Sequence, residues 1–135
     1  MTPLHSWQVN IAQALKIQLR LATRVSKVSE GITPRFIAGV DISATRARGM
    51  ATGAVVILSY PGLKLVEIQT VNEPVNFPYI PGLLSFREAP VVLATCEKLT
   101  VNPDLILVDG QGVAHPRRMG LASHLGLFLD TPTIG

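Results

Sequence analysis

Apolar residues recur at three- and four-residue steps near the start of the chain, between residues 7 and 28. Basic and amide side chains occupy the positions between them. This spacing is typical of an amphipathic helix, because 3.6 residues complete one helical turn. Gly31 and Pro34 follow and end the predicted helix. The residues that form its apolar stripe are Trp7, Ile11, Leu15, Ala22 and Val25.

Three runs of strand length follow this helix. FIAGVDI, residues 36–42, is almost wholly apolar, which predicts a strand that is covered on both faces. Residues 52–60 and 63–71 are also rich in apolar side chains, and Pro61-Gly62 joins them. This pair is typical of a turn with positive φ at the glycine. We therefore expect the three strands to form an antiparallel meander.

The next part of the chain has the pattern of a loop, a helix and a strand. Residues 72–84 contain three prolines and a glycine, which predicts a stiff loop. The apolar spacing predicts a helix from about Phe86 to Leu99, with Pro90 in its first turns. DLILVD, residues 104–109, is a second apolar run. A helix between two such runs indicates a parallel crossover.

A last helix and a short strand complete the pattern. Residues 118–129 have the spacing of an amphipathic helix, and TPTIG, residues 131–135, looks like the start of another strand. The sequence thus predicts an α/β fold, in which a three-strand antiparallel meander and parallel strands form one mixed sheet flanked by helices. Neither a repeat nor a composition shift divides the chain, so we expect a single domain over residues 1–135.

Composition narrows the class of protein. Hydrophobic residues make up 47% of the 135 residues and charged residues 16%, which supports a buried core. The formal net charge of +3 agrees weakly with a polyanionic partner. The single cysteine, Cys96, excludes an internal disulfide and fits a reducing, cytoplasmic location. No apolar stretch approaches the roughly 20 residues that span a bilayer, so we expect no membrane partner.

Asp41 and Asp109 each lie at or near the end of an apolar run. A carboxylate at such a position needs a partner, and two strand-end acids in one sheet suggest a single site. Oxygen ligands suit hard divalent ions such as Mg²⁺, and a pair of such ions can stabilise both the attacking and the leaving oxygen of a phosphodiester. The simpler alternative is that either aspartate begins a turn.

Glu88 is a third candidate carboxylate. At the start of the predicted helix it would face the strand ends and complete a metal site. Ser85 and Glu88 also fit a helix capping box, in which the glutamate accepts a hydrogen bond from a backbone amide instead. Arg87 beside it could contact phosphate or form an exposed ion pair.

Two loops carry candidate contacts to a substrate. HPRR, residues 115–118, combines an imidazole with two guanidinium groups, a composition that suits a scissile phosphate or a plain basic loop. Tyr79 lies in the proline-rich loop, where a rigid aromatic ring could enter a base step or could cover the core. His124 is interpreted as a packed helix residue, and His5 carries no functional signal.

Together these segments resemble the endonuclease V family, nucleases that act on nucleic acid containing inosine, which is deaminated adenine. The resemblance extends from about residue 7 to the last residue. Its specific marks are GVDIS at residues 39–43, PYIPGLLSFRE at 78–88, VDGQGVAHPRRMGLASHLG at 108–126 and the terminal TPTIG.

The resemblance implies an RNase H-like fold and a DNA-repair activity. In the family, cleavage falls at the second phosphodiester on the 3′ side of the lesion and leaves 3′-hydroxyl and 5′-phosphate ends. It implies that Mg²⁺, or Mn²⁺ in its place, is held by Asp41, Glu88 and Asp109, with His115 close to the metal and the phosphate. The partner implied is DNA containing deoxyinosine, and inosine-containing RNA is left open as a second substrate.

The same resemblance assigns the residues that bind the substrate. The PYIPG segment would act as a wedge, and its residues are Pro78, Tyr79, Ile80, Pro81 and Gly82. Arg117 and Arg118 would contact the strand. The flipped base would enter a pocket of backbone and small residues, for which the matching positions are Gly82, Leu84, Gly110, Gly112, Gly120 and Leu121.

The chain departs from the family pattern at two places. Gln111 stands where many members have histidine. Members also usually continue past the TIG motif into a strand with a lysine that is expected to help at the scissile phosphate. We therefore expect weak or no cleavage by the isolated chain, with some metal affinity retained. We also expect an unpaired sheet edge near Gly135 that could support a homodimer.

Two other functions stay open at this point. A non-catalytic nucleic-acid-binding module would keep the fold and the acids but would not cleave. An RNase H-like enzyme that transfers phosphoryl groups to small molecules would use the same strand-end acids. The lack of a phosphate-binding glycine loop next to Asp41 weighs modestly against this last function.

Overall fold

The computed structural model describes residues 3–28, 31–45 and 49–135. Within these ranges the helices are α1 Ile11–Ala22, α2 Leu84–Glu97 and α3 Leu121–Leu129. The strands are β1 Phe36–Thr45, β2 Met50–Ser59, β3 Leu65–Pro74, β4 Leu105–Val108 and β5 Thr133–Ile134. The strands form a mixed sheet in the order β3-β2-β1-β4-β5.

The pairing of the strands confirms the predicted topology. β1, β2 and β3 form an antiparallel meander. β4 pairs parallel to β1, and β5 pairs parallel to β4. The parallel register places Val40 beside Val108, so the next residue of each strand, Asp41 and Asp109, follows at the same level of the sheet. The topology therefore brings the two aspartates together.

The main core lies between the sheet and the helices α2 and α3. Ala38, Val55 and Ile106 point into it and are fully buried. The prediction that β1 is covered on both faces is wrong. Within the described ranges Gly39 is exposed and Leu107 is 44% exposed, because α2 and α3 pack on one face of the sheet and leave the other open.

Helix α1 is shorter than the periodic pattern predicts. It begins after Asn10, whose side chain accepts from the backbone N–H of Gln13, while the Gln13 side chain accepts from the backbone N–H of Asn10. This reciprocal capping fixes the start of the helix. Trp7 and Val25 therefore lie outside it, although Trp7 still packs against the core.

The other predicted boundaries shift by a few residues. α2 begins at Leu84 and contains Pro90 beyond its first turn. α3 begins at Leu121 and not at Arg118, whose φ of 60° is left-handed. The predicted positive φ at Gly62 is also wrong, since the left-handed residue of the β2–β3 turn is Leu63, with φ 53°.

Among the described residues, none of the helices combines the length and the apolar character that a bilayer crossing requires.

Candidate functional site

Asp41 and Asp109 stand side by side where β4 ends. Alternation along β1 puts Val40 into the core and Asp41 on the open face of the sheet, and Val108 and Asp109 alternate in the same way. Both aspartates are exposed. Asp41 does not end its strand, as the sequence suggested, because pairing with β2 carries β1 on to Thr45. The backbone N–H of Ile42 donates to Asp41 Oδ1 at 2.8 Å.

Glu88 joins these two acids from helix α2. It is partly buried, and burial raises the pKa of its carboxyl above the ordinary value. The positive charge of Arg87 opposes that rise, whereas the negative charges of Asp41 and Asp109 add to it. The charges of Asp41 and Asp109 therefore act on Glu88, so the structure brings the predicted acids into one region.

The predicted capping box at Ser85 and Glu88 is not formed. Leu83 is the N-cap residue of α2 and makes no side-chain cap. Ser85 is buried, and its Oγ lies 2.8 Å from Nδ1 of His124. Glu88 is thus free of the capping role that competed with metal binding in the sequence interpretation.

The chemistry of these acids fits a hard divalent cation. Asp41, Glu88 and Asp109 come from β1, α2 and β4, and they offer oxygen ligands at a locally negative site. In the part of the chain that is described, however, no three acidic, histidine or cysteine side chains lie close enough to enclose one ion directly. The acids therefore suit Mg²⁺ in donor type and location, and water would have to supply the remaining ligands of a bound ion.

A shallow depression adjoins the aspartates on the open face of the sheet. It contains Asp41 and Asp109 themselves, and the side chains around them are small or apolar. The neighbouring residues in its lining include Gly39, Ala54, Val56, Leu107 and Ile134. Asp41 and Asp109 therefore line this depression, whereas Glu88 on α2 does not belong to its lining.

His115 occupies a different environment from the acids. It is 5% exposed, and its Nε2 lies 2.7 Å from the carbonyl oxygen of Gly82. The backbone N–H of Arg117 donates to its Nδ1 at 3.0 Å, so Nε2 carries the proton and donates. Both ring nitrogens are thus engaged by backbone groups, and the predicted catalytic role of His115 stays a prediction.

The two arginines of this loop differ in their surroundings. Arg117 is half-buried, and its Nε donates to Gln18 at 2.6 Å while its Nη2 donates to the Gly82 carbonyl at 3.0 Å. Arg118 is exposed and donates to the carbonyl of Val113 at 3.1 Å. Arg118 is therefore the more accessible of the two for a phosphate.

The PYIPG loop presents its aromatic ring to solvent. Tyr79 is 63% exposed, and Pro78 and Pro81 are exposed beside it. Ile80 packs against a second apolar cluster formed around Phe86. The tyrosine therefore does not cover the core, which removes the simpler explanation that the sequence left open.

The predicted pocket residues have packing roles in this structure. A Cβ at Gly120 would collide with the backbone carbonyl of Gln111. A Cβ at Gly110 would lie 3.3 Å from the side chain of Leu121, which is buried. Gly112 and Leu84 are partly buried. Close packing of the loop on α3 accounts for these glycines, and binding of a base by this group stays a prediction.

Known proteins are similar to this chain over nearly its whole length. The family model for Endonuclease V matches residues 16–135. The chain belongs to the endonuclease V family. An Endonuclease V from Gloeobacter violaceus is 51% identical over 134 residues, which are 98% of this chain and 54% of that protein. One from Dehalococcoides mccartyi is 50% identical over 98% of this chain and 59% of its own length.

Solved structures of the family share the fold. Endonuclease V from Streptomyces avermitilis superposes with a TM-score of 0.89 at 42% identity, over 95% of this chain and 57% of that one. The Ciona intestinalis protein, solved with a 23mer DNA containing an inosine followed by a ribo-adenosine, gives 0.79 at 30% identity, over 91% and 55%. The RNase H-like α/β class is thereby confirmed. The chain spans slightly more than half the length of these relatives.

Two buried polar contacts near the predicted site were not predicted from the sequence. Gln18 lies on the apolar side of α1 and is fully buried, which its spacing from other apolar residues of the helix could have suggested. His5 Nε2 lies 2.7 Å from Nε2 of His124, which in turn contacts Ser85. No local signal links residues 119 positions apart, so this pair could not be found from the pattern alone.

Proposed function

We propose that the chain carries the active centre of a metal-dependent endonuclease that cleaves inosine-containing strands during repair of deaminated DNA in the cytoplasm. The observation that carries the proposal is the convergence of Asp41, Glu88 and Asp109 from three separate elements. Membership of the endonuclease V family supports the same activity. Inosine-containing RNA is a second substrate to be tested.

In this proposal Asp41, Glu88 and Asp109 hold Mg²⁺, for which Mn²⁺ can substitute. A divalent ion bound there would supply positive charge to the phosphate as it reacts. Water provides the oxygen that bonds to phosphorus at the second phosphodiester 3′ to the lesion. The P–O3′ bond breaks, and the released oxygen takes a proton, which leaves 3′-hydroxyl and 5′-phosphate ends.

The other residues bind and orient the strand. The exposed ring of Tyr79 enters the base stack beside the lesion, since a rigid aromatic wedge lowers the free energy needed to unstack a base. Arg118, which is exposed near α3, contacts the phosphate backbone, as guanidinium groups commonly do. Backbone groups of the glycine loop between β4 and α3 receive the extruded base.

The test is cleavage of an end-labelled single strand with one inosine, in Mg²⁺ or Mn²⁺. Because only weak cleavage is expected of this chain, Asp109→Asn should abolish the cleavage that the wild type shows, since it removes a proposed metal ligand. Asp130→Asn is the matched control, since Asp130 is exposed at the end of α3 and asparagine accepts its left-handed conformation. Cutting one nucleotide beyond the inosine, lost only in Asp109→Asn, would support the proposal. Cleavage that does not depend on inosine would contradict the proposal.

A second candidate is a nucleic-acid-binding module that does not cleave. It is favoured by the finding that the acids, as placed in the described ranges, do not enclose an ion directly. Inosine-dependent binding without cleavage, equal in wild type and Asp109→Asn, would support this module. Phosphoryl transfer to a small molecule has no such observation in its favour.

A further inference from the structure

Gln18 is a buried polar residue in an otherwise apolar surface of α1. Its side chain is 0% exposed, so each polar atom needs a partner inside the protein. Its Nε2 donates to the carbonyl oxygen of Gly82 at 2.8 Å, and its Oε1 accepts from Nε of Arg117 at 2.6 Å. The amide thus joins α1 to two loops that are distant in sequence.

Three donors meet at the carbonyl oxygen of Gly82. Gln18 Nε2 lies at 2.8 Å, His115 Nε2 at 2.7 Å and Arg117 Nη2 at 3.0 Å. A carbonyl oxygen has two lone pairs, so three donors saturate it. We call Gln18, His115 and Arg117 the Gly82 clamp.

The residue at the centre of the clamp has to be glycine. Its φ of +84° is left-handed, and a Cβ there would lie 2.6 Å from Nη2 of Arg117. A side chain would therefore displace the guanidinium group and disfavour the backbone conformation together. The left-handed conformation of Gly82 and the close approach of Arg117 to it therefore both require the absence of a side chain at residue 82.

The other end of the same loop is also tied down. Nη1 of Arg87 donates to the carbonyl of Phe77 at 2.8 Å. The segment from Pro78 to Pro81 consequently spans two fixed carbonyls, and Ile80 packs against the apolar cluster between them. Tyr79 is the exposed aromatic residue on this short, stiff span.

We propose that Gln18 is a positioning residue that acts through the Gly82 carbonyl to hold Tyr79 in the orientation that unstacks a strand beside inosine. A loop that is ordered before binding loses less conformational entropy when the strand arrives. This inference rests on the proposed function, because it assigns Tyr79 as the wedge. The side-chain hydrogen bonds of Gln18 go to Gly82 and Arg117, so its effect on the strand is indirect.

The first test observes the loop without any substrate. The chain has two tyrosines, so incorporation of 3-fluorotyrosine gives one ¹⁹F signal from Tyr79 and one from Tyr60, which lies in the β2–β3 turn and is 48% exposed. Gln18→Glu keeps an acceptor for Arg117 but cannot donate to Gly82. Gln18→Met removes both bonds at similar volume.

The expected result is that both variants narrow the Tyr79 signal and shift it toward the value of the unfolded chain, while the Tyr60 signal is unchanged. An unchanged Tyr79 signal in Gln18→Glu would overturn the inference. Equal changes in both signals in both variants would also overturn it, because Gln18 would then be a core residue with no particular link to the loop. Gln8→Glu, at an exposed amide before α1, is the matched control and should leave both signals unchanged.

The second test measures affinity for an inosine-containing strand relative to an inosine-free strand, without divalent metal. Gln18→Glu is expected to reduce the affinity for the inosine strand about tenfold, the effect of losing one hydrogen bond to a constrained group. In the Tyr79→Ala background the same substitution should change the affinity by about twofold or less, because an effect that acts through Tyr79 is already lost when its ring is removed. Two residues coupled in this way are not additive. Equal losses in the two backgrounds would overturn the inference.

The two proposals fail in distinguishable ways. If the wild-type chain does not prefer inosine strands, the proposed function fails, while the ¹⁹F result still decides whether Gln18 fixes the loop. If the wild-type chain prefers inosine and Gln18→Glu keeps the whole preference, the positioning role fails and the proposed function stands.

Discussion

The Glu88 carboxyl is held where its ionised form is unfavourable. Burial and the negative charges of Asp41 and Asp109 raise its pKa, and Arg87 offsets that rise in part. If residue 88 only supported the fold, an uncharged amide there would give a more stable protein than a carboxylate. Clusters of this kind are characteristic of functional sites, where charge is arranged for a ligand and not for stability.

Replacing Glu88 should therefore stabilise the metal-free protein. A raised pKa means that wild type loses stability as the pH rises through the ordinary carboxyl range toward the pKa of the folded state. Glu88→Gln lacks this loss, so at neutral pH its free energy of unfolding should be higher than that of wild type, and the gain should be modest because solvent screens part of the group. Urea denaturation measures it. Glu97→Gln, at an exposed position in the last turn of the same helix, is the control. If Glu88→Gln stabilises the protein no more than Glu97→Gln does, the Glu88 carboxylate does not destabilise the metal-free fold.

Among the secondary-structure elements, a pair of histidines links the N-terminal segment to α3 and α2 by hydrogen bonds. His5 Nδ1 lies 2.8 Å from the carbonyl of Ser6, His5 Nε2 contacts His124, and His124 Nδ1 contacts Ser85. Trp7 and Phe128 pack around the two imidazoles, with edge-to-face contacts to His5 and tilted contacts to His124. Burial, and then the charge of His5, lowers the pKa of His124 to about 3, and burial lowers that of His5.

This pair should make the protein sensitive to acid. Both histidines have lowered pKa values when folded, so the unfolded chain binds more protons below pH about 6.5 and stability falls as the pH decreases. His124 alone should cost on the order of 2–3 kcal/mol between pH 6.5 and 4.5, at about 1.4 kcal/mol per pH unit.

Denaturant unfolding at several pH values tests this expectation. His124→Gln should be less stable than wild type at pH 7.5 but should lose less stability on acidification. His5→Gln keeps His124 and should retain most of the slope. A His124→Gln slope equal to that of wild type would show that other groups govern the acid response.

The fold was predictable in its elements because those depend on local patterns. Alternating and 3.6-residue apolar patterns predicted the meander, the parallel strand before Asp109 and the last helix. The same patterns did not predict where α1 begins, because side-chain capping at Asn10 sets that boundary. The proximity of Asp41 and Asp109 was predictable because each follows an apolar run that was expected to form a strand of the same sheet. The engagement of His115 with Gly82 was not, because its partner lies 33 residues earlier and is a backbone atom.

At the scale of the whole molecule, the sheet has one covered and one open face. The open face carries exposed apolar residues, among them Ile68 at 53%, Leu107 at 44% and Ile134 at 54%. In the described sheet β3 and β5 are the outer strands. Apolar faces and outer strands of this kind favour association, and the homodimer expected from the sequence stays a prediction.

We expect the isolated chain to self-associate in the micromolar range. Ile68→Lys places a charge on an outer strand and on the open face at once, so it should weaken the association by about tenfold or more. Leu19→Lys is the control, because Leu19 is 61% exposed on α1, away from the sheet. Sedimentation velocity over a range of concentrations measures both. A wild-type chain that stays monomeric throughout would refute this expectation.

We propose that Asp41, Glu88 and Asp109 form one divalent-metal site. Titration with Mn²⁺, with the free ion followed by electron paramagnetic resonance, tests it without requiring cleavage. We predict that wild type and Asp130→Asn bind Mn²⁺ with the same affinity and that Asp109→Asn binds it at least about tenfold more weakly. Equal binding by Asp109→Asn and Asp130→Asn would contradict the claim.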